Sequence, residues 1–234
     1  MPYAVQVEFR TASSFLVAYS VNLSRGGLFL ETEAEIPTGA AMTLDFTVPG
    51  AGTTSLNGVV MWRRAREDAS AGPPGLGVEF QDVAPQLGSV IDRLVGAFRG
   101  VHILLLSGDR QDRTTLARNI KSIIATSEIT QAADAAVAET VVSAELDVAI
   151  VDVDFDCEGG LKTIRAAKQQ VPPVPAIAIT SNQSYRELAV AAGADELLAN
   201  PPPFADLQVV LVRALGKPVA IRSVGGSGPN SGAE

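Results

Sequence analysis

The chain has 234 residues, 47% hydrophobic and 19% charged, with a formal net charge of -8. That is enough apolar material for one large or two ordinary globular domains, and the acidic balance opposes a nucleic-acid groove, which needs a cationic surface. A single cysteine, Cys157, excludes an intrachain disulfide, and a single histidine, His102, excludes His-rich metal clusters, so any metal chemistry would fall to carboxylates.

From Tyr3 to Phe80 the chain reads as six short β-rich runs, VQVEF, FLVAYSVNLS, GLFLET, AMTLDFTVP, LNGVVMWRR and LGVEF. Turn signals separate them, among them Arg25-Gly26-Gly27, Pro49 to Gly52 and Ala71 to Gly75. Six short strands predict an all-β barrel or sandwich, and closing it would protect its edges. Leu87, Ile91, Leu94, Val95 and Phe98 then recur at helical spacing, which predicts one amphipathic helix against the barrel, ending near Arg99-Gly100. From Val101 the pattern alternates. VHILLLS is followed by a helix over Gln111 to Ala125, and further strands are expected at Ile129 to Ala132, Val148 to Asp152, Ala176 to Thr180 and Glu196 to Leu198. A last helix runs over Phe204 to Leu215, so the second half is an α/β (βα)5 fold of the flavodoxin type. Functional residues of such a sheet lie at the carboxyl ends of its strands, where Ser107, Asp152, Thr180 and Asn200 fall. The expected domains are therefore 1–99 and 100–216, with a Gly- and Ser-rich flexible tail over 217–234.

The run Asn22, Leu23, Ser24, Arg25, Gly26, Gly27 resembles the D/N-x-S-x-x-G signature of PilZ domains. The resemblance extends through VVMWRR at Val59 to Arg64, GLGVEF at Gly75 to Phe80 and the closing helix, and is strongest to PilZ variants that recur in gliding bacteria. It implies a cyclic di-GMP site at Asn22, Ser24, Arg25 and Gly27. PilZ domains pair that turn with an upstream Arg-x-x-x-Arg segment, because a dianionic ligand needs charge-assisted hydrogen bonds from guanidinium forks. Only nine residues precede Arg10, none of them basic, and Arg10 falls in the first predicted strand, so the site reads as vestigial. A hairpin needing positive φ at Gly26 and Gly27 explains the glycines equally well. Trp62 with Arg63 and Arg64 could stack on a nucleotide, but a Trp in an apolar strand is more often core, with the arginines solvated.

The second half resembles response-regulator receiver domains. Asp147 to Asp152 followed by Gly159-Gly160-Leu161 is similar to the third strand and phosphoacceptor loop, Ala176 to Ser181 to the fourth strand, and Gly193 to Pro201 to the fifth. The resemblance makes Asp152 the acceptor and Thr180 the phosphate-contacting hydroxyl. Aspartyl phosphorylation also needs a divalent cation and fixed donors around the transferring group. Where receivers carry an acidic pair for that cation, this chain has Ser107 and Gly108; Asp109 is the nearest replacement, though it more naturally caps the following helix. Asn200 stands in place of the receiver lysine and Leu197 in place of the aromatic switch residue. Asp154, Asp156 and Glu158 read as a solvated acidic loop, and Cys157 as a thiol without chemistry.

These departures predict a non-catalytic signalling protein with a pseudo-receiver, having no cofactor and no metal, whose partners are proteins of a motility or polarity system. The absence of a signal sequence in MPYAVQVEFR and of a bilayer-length apolar run predicts a cytoplasmic location, with recruitment to a cell pole as the corresponding address. Membrane insertion and nucleic-acid partners are not expected, and a homodimer through the receiver-like domain is one assembly the resemblance implies. The alternative is a regulator switched by phosphorylation of Asp152 or by weak cyclic di-GMP binding at Asn22 to Gly27.

Overall fold

A computed structural model describes residues 3–23, 27–66, 73–81, 91–96 and 98–224. The chain divides into two compact units, one formed by Met1–Ala97 with Pro218–Glu234 and the other by Phe98–Lys217.

The first unit holds strands β1 (Tyr3–Glu8), β2 (Gly27–Glu31), β3 (Ala41–Val48), β4 (Gly52–Arg64), β5 (Gly75–Gln81) and β11 (Ala220–Val224), paired in the order β11-β1-β3-β4-β5-β2. Alternation places one side of each strand in a single core: Val5 and Val7 from β1, and Met42, Leu44, Phe46 and Val48 from β3, are all buried. Two expectations fail here. The run FLVAYSVNLS is not a strand; it lies largely within helix α1 (Ala12–Leu23). The Thr11 hydroxyl accepts from the Ser14 amide at 3.0 Å and so caps the helix start, while Phe15 and Ala18 bury one face. The Phe15 ring meets Phe9 edge-on at 5.3 Å. The other is the tail over 217–234, expected to be flexible, which supplies a strand. Its residues Ala220–Val224 form β11, antiparallel to β1 from Ala4 opposite Val224 to Glu8 opposite Ala220. The sixth strand thus comes from the far end of the chain. Among the described residues no pairing joins β11 to β2, so the six strands form one sheet whose expected closure into a barrel is not seen among them, and helix α1 stands where an all-β unit was expected to have a strand. Of the predicted closing helix, the described residues 91–96 are helical (α2), with Leu94 buried. Leu87 lies outside the described residues.

The second unit is a parallel sheet of β6 (Val101–Leu106), β7 (Ser127–Ala132), β8 (Val148–Asp152), β9 (Ala176–Ile179) and β10 (Glu196–Leu198), in the order β10-β9-β8-β6-β7. Helices α3 (Arg110–Ile123), α4 (Ala135–Val141), α5 (Cys157–Lys168), α6 (Gln183–Ala191) and α7 (Phe204–Gly216) alternate with the strands. Every residue of β8 and β9 is buried, as expected of strands covered on both faces. In this doubly wound order the connections leave β6 in opposite directions, which opens a crevice at the carboxyl ends of β6 and β8. Ser107 and Asp152 lie there.

Candidate functional site

Asp152 ends β8 and is only 6% exposed. One carboxylate oxygen, Oδ2, accepts from the Ser107 hydroxyl at 3.1 Å; the other, Oδ1, accepts from the Asp154 amide at 3.0 Å and from the Asn200 side-chain amide at 3.3 Å. All three donors are neutral. Burial raises the Asp152 carboxyl above its ordinary range, against the lowering effect of the Asp154 amide and the Ser107 hydroxyl.

Asp154 is the organising group, and the expectation of a solvated loop there is overturned. It accepts from the Thr180 hydroxyl, from the Ser181 amide and hydroxyl at 2.8 Å each, and from the Asn200 amide at 3.1 Å. The loops after β8, β9 and β10 are thereby tied to one carboxylate. Partial desolvation alone would raise the Asp154 carboxyl, but the hydrogen bonds from Thr180, Ser181 and Asn200 outweigh it and hold the group below its ordinary value. Thr180 gives its proton to Asp154, and Asn200 bridges both carboxylates.

Asp109 stands apart from this network. It caps α3, accepting from the amides of Gln111 at 2.7 Å and Asp112 at 2.9 Å. Asp109→Ala is expected to cost about 1 kcal/mol of the second unit's stability in urea unfolding, with the amide resonances of Asp154 and Ser181 unmoved. Asp156 likewise caps α5, accepting from the Gly159 amide at 3.0 Å. Cys157 has its thiol pushed up, first by desolvation and then by the charges of Asp156 and Asp154, which fits an inert thiol.

A divalent cation of the receiver type does not fit these residues. Ser107 offers a neutral hydroxyl already committed to Asp152, and Asp109 is turned to the helix end. Gly108 has no side chain, and a Cβ there would collide with the ring of Phe155. Among the described residues no group of three or more Asp, Glu, His or Cys side chains is arranged to hold a metal.

The two carboxylates titrate with opposite consequences. The stabilisation from Asp154 is present above its unfolded value near 3.8 and is lost as pH falls through its lower folded value. For Asp152, whose folded value is raised, the favourable contribution is present below about 3.8 and is lost as pH rises through the folded value. In urea unfolding at a series of pH values, Asp152→Asn is therefore expected to gain on the wild type as pH rises. The deficit of Asp154→Ala is expected to shrink in acid.

In the first unit, Asn22 lies in α1 and Gly27 opens β2, while Ser24, Arg25 and Gly26 lie outside the described residues. At Gly27 a steric cause is present, since a Cβ there would strike the Val78 carbonyl of β5. Arg10, expected in the first strand, follows the end of β1 and is buried. Trp62, expected in the core, is 45% exposed and stacks on Phe29 with ring centroids 5.2 Å apart. Arg64 is not simply solvated, since its guanidinium sits 4.9 Å from the Phe29 ring centre.

The family model described as the PilZ domain matches residues 1–97. Those residues are a PilZ domain. The match ends before the second unit, and the PilZ sheet gains β11 from beyond it. None of the curated proteins matches the chain in sequence. Among solved structures, the chain is similar to the receiver domain of the sensor histidine kinase PA1611 from Pseudomonas aeruginosa, solved with magnesium in its active-site cleft. The identity is 28%, with 50% of this chain and 99% of that one covered and a TM-score of 0.46. It is also similar to the chemotaxis protein CheY4 of Vibrio cholerae, at 22% identity, 50% and 99% coverage and a TM-score of 0.42. A third similar structure is the signal receiver domain of a DNA-binding response regulator from Colwellia psychrerythraea, at 18% identity, 50% and 99% coverage and a TM-score of 0.43. No described helix is long and apolar enough to cross a membrane.

Proposed function

We propose that the chain is a non-catalytic bacterial signalling protein whose PilZ domain and pseudo-receiver act through protein–protein contacts rather than through their usual ligands. The observation that carries this reading is the ring of neutral donors around Asp152: Ser107, the Asp154 amide and Asn200 occupy its lone pairs where phosphoryl chemistry requires a cation and a positively charged partner. Phe155 over Gly108 and the commitment of Thr180 to Asp154 support it. The partners are proteins of a motility or polarity system, met in the cytoplasm or at a cell pole. That assignment rests on the resemblance of the Asn22 to Gly27 region to PilZ variants of gliding bacteria. No catalytic role is assigned to any residue.

The test is affinity capture with quantitative mass spectrometry, comparing the wild type with Asp152→Ala and with a double variant at Asn22 and Ser24, alongside calorimetry with cyclic di-GMP. Equal partner recovery from all three proteins and no heat of binding are expected. Partner recovery that depends on Asp152, or saturable cyclic di-GMP binding abolished by the Asn22 and Ser24 variant, would favour a ligand-switched regulator instead.

A further inference from the structure

Strand β1 has two neighbours of different origin. On one side lies β3, within the same PilZ match; on the other lies β11, which follows α7 with only Lys217, Pro218 and Val219 between. Without β11 the backbone of Ala4 to Glu8 on that side is an open sheet edge, a template on which another strand adds. β11 holds this place lightly. Ala220, Ile221 and Arg222 are all at least partly exposed, and Ile221, opposite buried Val7, is the one β11 side chain packed against the core among the described residues.

The opposite face of the same strands carries charge. Arg222 opposes Gln6, which opposes Asp45, and two residues along β1 Glu8 opposes Ala220, so Arg222, Asp45 and Glu8 share one face of the sheet. All three line an open groove of about 220 Å³. Two carboxylates there face one guanidinium. Among the described residues Arg222 makes no ion pair with either, and Asp45 instead accepts from the Ser55 hydroxyl at 2.6 Å. The groove therefore attracts a cation that β11 does not seat.

We infer that the outer edge of β1 is a strand-docking site which β11 occupies in cis, and that an extended segment of a partner protein displaces it. The incoming segment places a branched apolar residue opposite Val7 and, next to it, an Arg or Lys beside Glu8 and Asp45. The main-chain ladder supplies affinity and these two side chains supply selectivity. A second copy's β11 is a poorer occupant, because it offers the same contacts as the strand in cis, which a short tether holds at an effective concentration on the order of millimolar. The inference rests on the reading of the chain as an interaction protein and gives that reading a self-blocked surface.

The probe is a labelled synthetic peptide of the sequence Lys217 to Val224, tested on the full chain throughout. Disabling the strand in cis by Ile221→Asp is expected to let the peptide bind saturably, at least about tenfold more tightly than it binds the wild type, whose own β11 blocks the edge. The peptide is also expected to raise the urea midpoint of that variant's first unit, read by the emission of Trp62, the chain's single tryptophan. A peptide carrying Ile221→Asp is expected to bind at least about tenfold more weakly, and one carrying Arg222→Glu at least about threefold more weakly. Arg222→Glu in the full chain, an exposed substitution that spares the fold, is a second way to loosen β11 and is expected to admit the unaltered peptide more tightly than the wild type does. Equal affinity for the wild type and both variants, no binding to either variant, or binding indifferent to both peptide substitutions would each overturn the site. A wild-type chain that dimerises in sedimentation, through an association lost in Ile221→Asp, would assign the edge to a second copy and overturn the partner. None of these outcomes depends on Asp152 or on cyclic di-GMP, so the functional reading keeps its own separate test.

Discussion

Asp154→Ala is expected to destabilise the receiver-like unit by about 2–4 kcal/mol, because removing one carboxylate strips several donors of their acceptor at once. The Thr180 hydroxyl is buried, and with it the Ser181 amide, the Ser181 hydroxyl and one Asn200 amide hydrogen lose their partner. These donors come from the ends of β9 and β10, so the loss should loosen the whole carboxyl edge of the sheet. Urea unfolding reads the stability, and hydrogen exchange at the Ser181 and Asn182 amides reads the locality. Asp152→Asn should behave differently. Asp152 is the more buried carboxylate and its charge is disfavoured there, so replacing it with a neutral isostere is expected to leave stability equal or higher at neutral pH. If the two variants lost equal stability, the assignment of Asp154 as the organising group would be wrong.

Ending the chain after Lys217 is expected to cost the PilZ unit on the order of 3 kcal/mol, although every deleted residue lies more than a hundred positions beyond the family match. The deletion removes the β11 ladder along all of Ala4 to Glu8, the Val219 amide bond to the Glu8 carbonyl, and the packing of Ile221 against the core. It also turns β1 into an edge strand open to pairing with other chains. A chain ending at Val224 isolates the effect, since it retains β11. The expected result is a lower urea midpoint for the first unit and concentration-dependent association in the shorter chain only. Identical unfolding of the two truncated chains would contradict the placement of β11.

The parallel sheet was legible because strands buried on both faces read as unbroken apolar runs, as VHILLL and DVAIVD do. Its order then put Asp152, Thr180 and Asn200 at one end. The role of Asp154 was not legible. Its partners lie 26 to 46 residues away, and only the adjacency of β8, β9 and β10 makes them neighbours. In α1 the aromatic and β-branched content of FLVAYSV suggested a strand, although the Thr11 cap and the spacing of Phe15, Ala18 and Tyr19 carry a helical signal. Trp62 was misjudged because alternation cannot reveal a bulge. The pair Gly75 and Gly77 opposite an aromatic strand was the available hint. The pairing of β11 with β1 could not be read, because five residues with no distinctive pattern meet a partner at the opposite end of the chain.

The central claim is that Asp152 retains the position of a phosphoacceptor without the surroundings that let one react. Intact-mass spectrometry of the full chain after incubation with acetyl phosphate and magnesium tests it directly. The neutral donors at Asp152 and the Phe155 ring over Gly108 predict that the mass remains that of the unmodified chain. Stoichiometric gain of one phosphoryl group, abolished by Asp152→Ala, would contradict it.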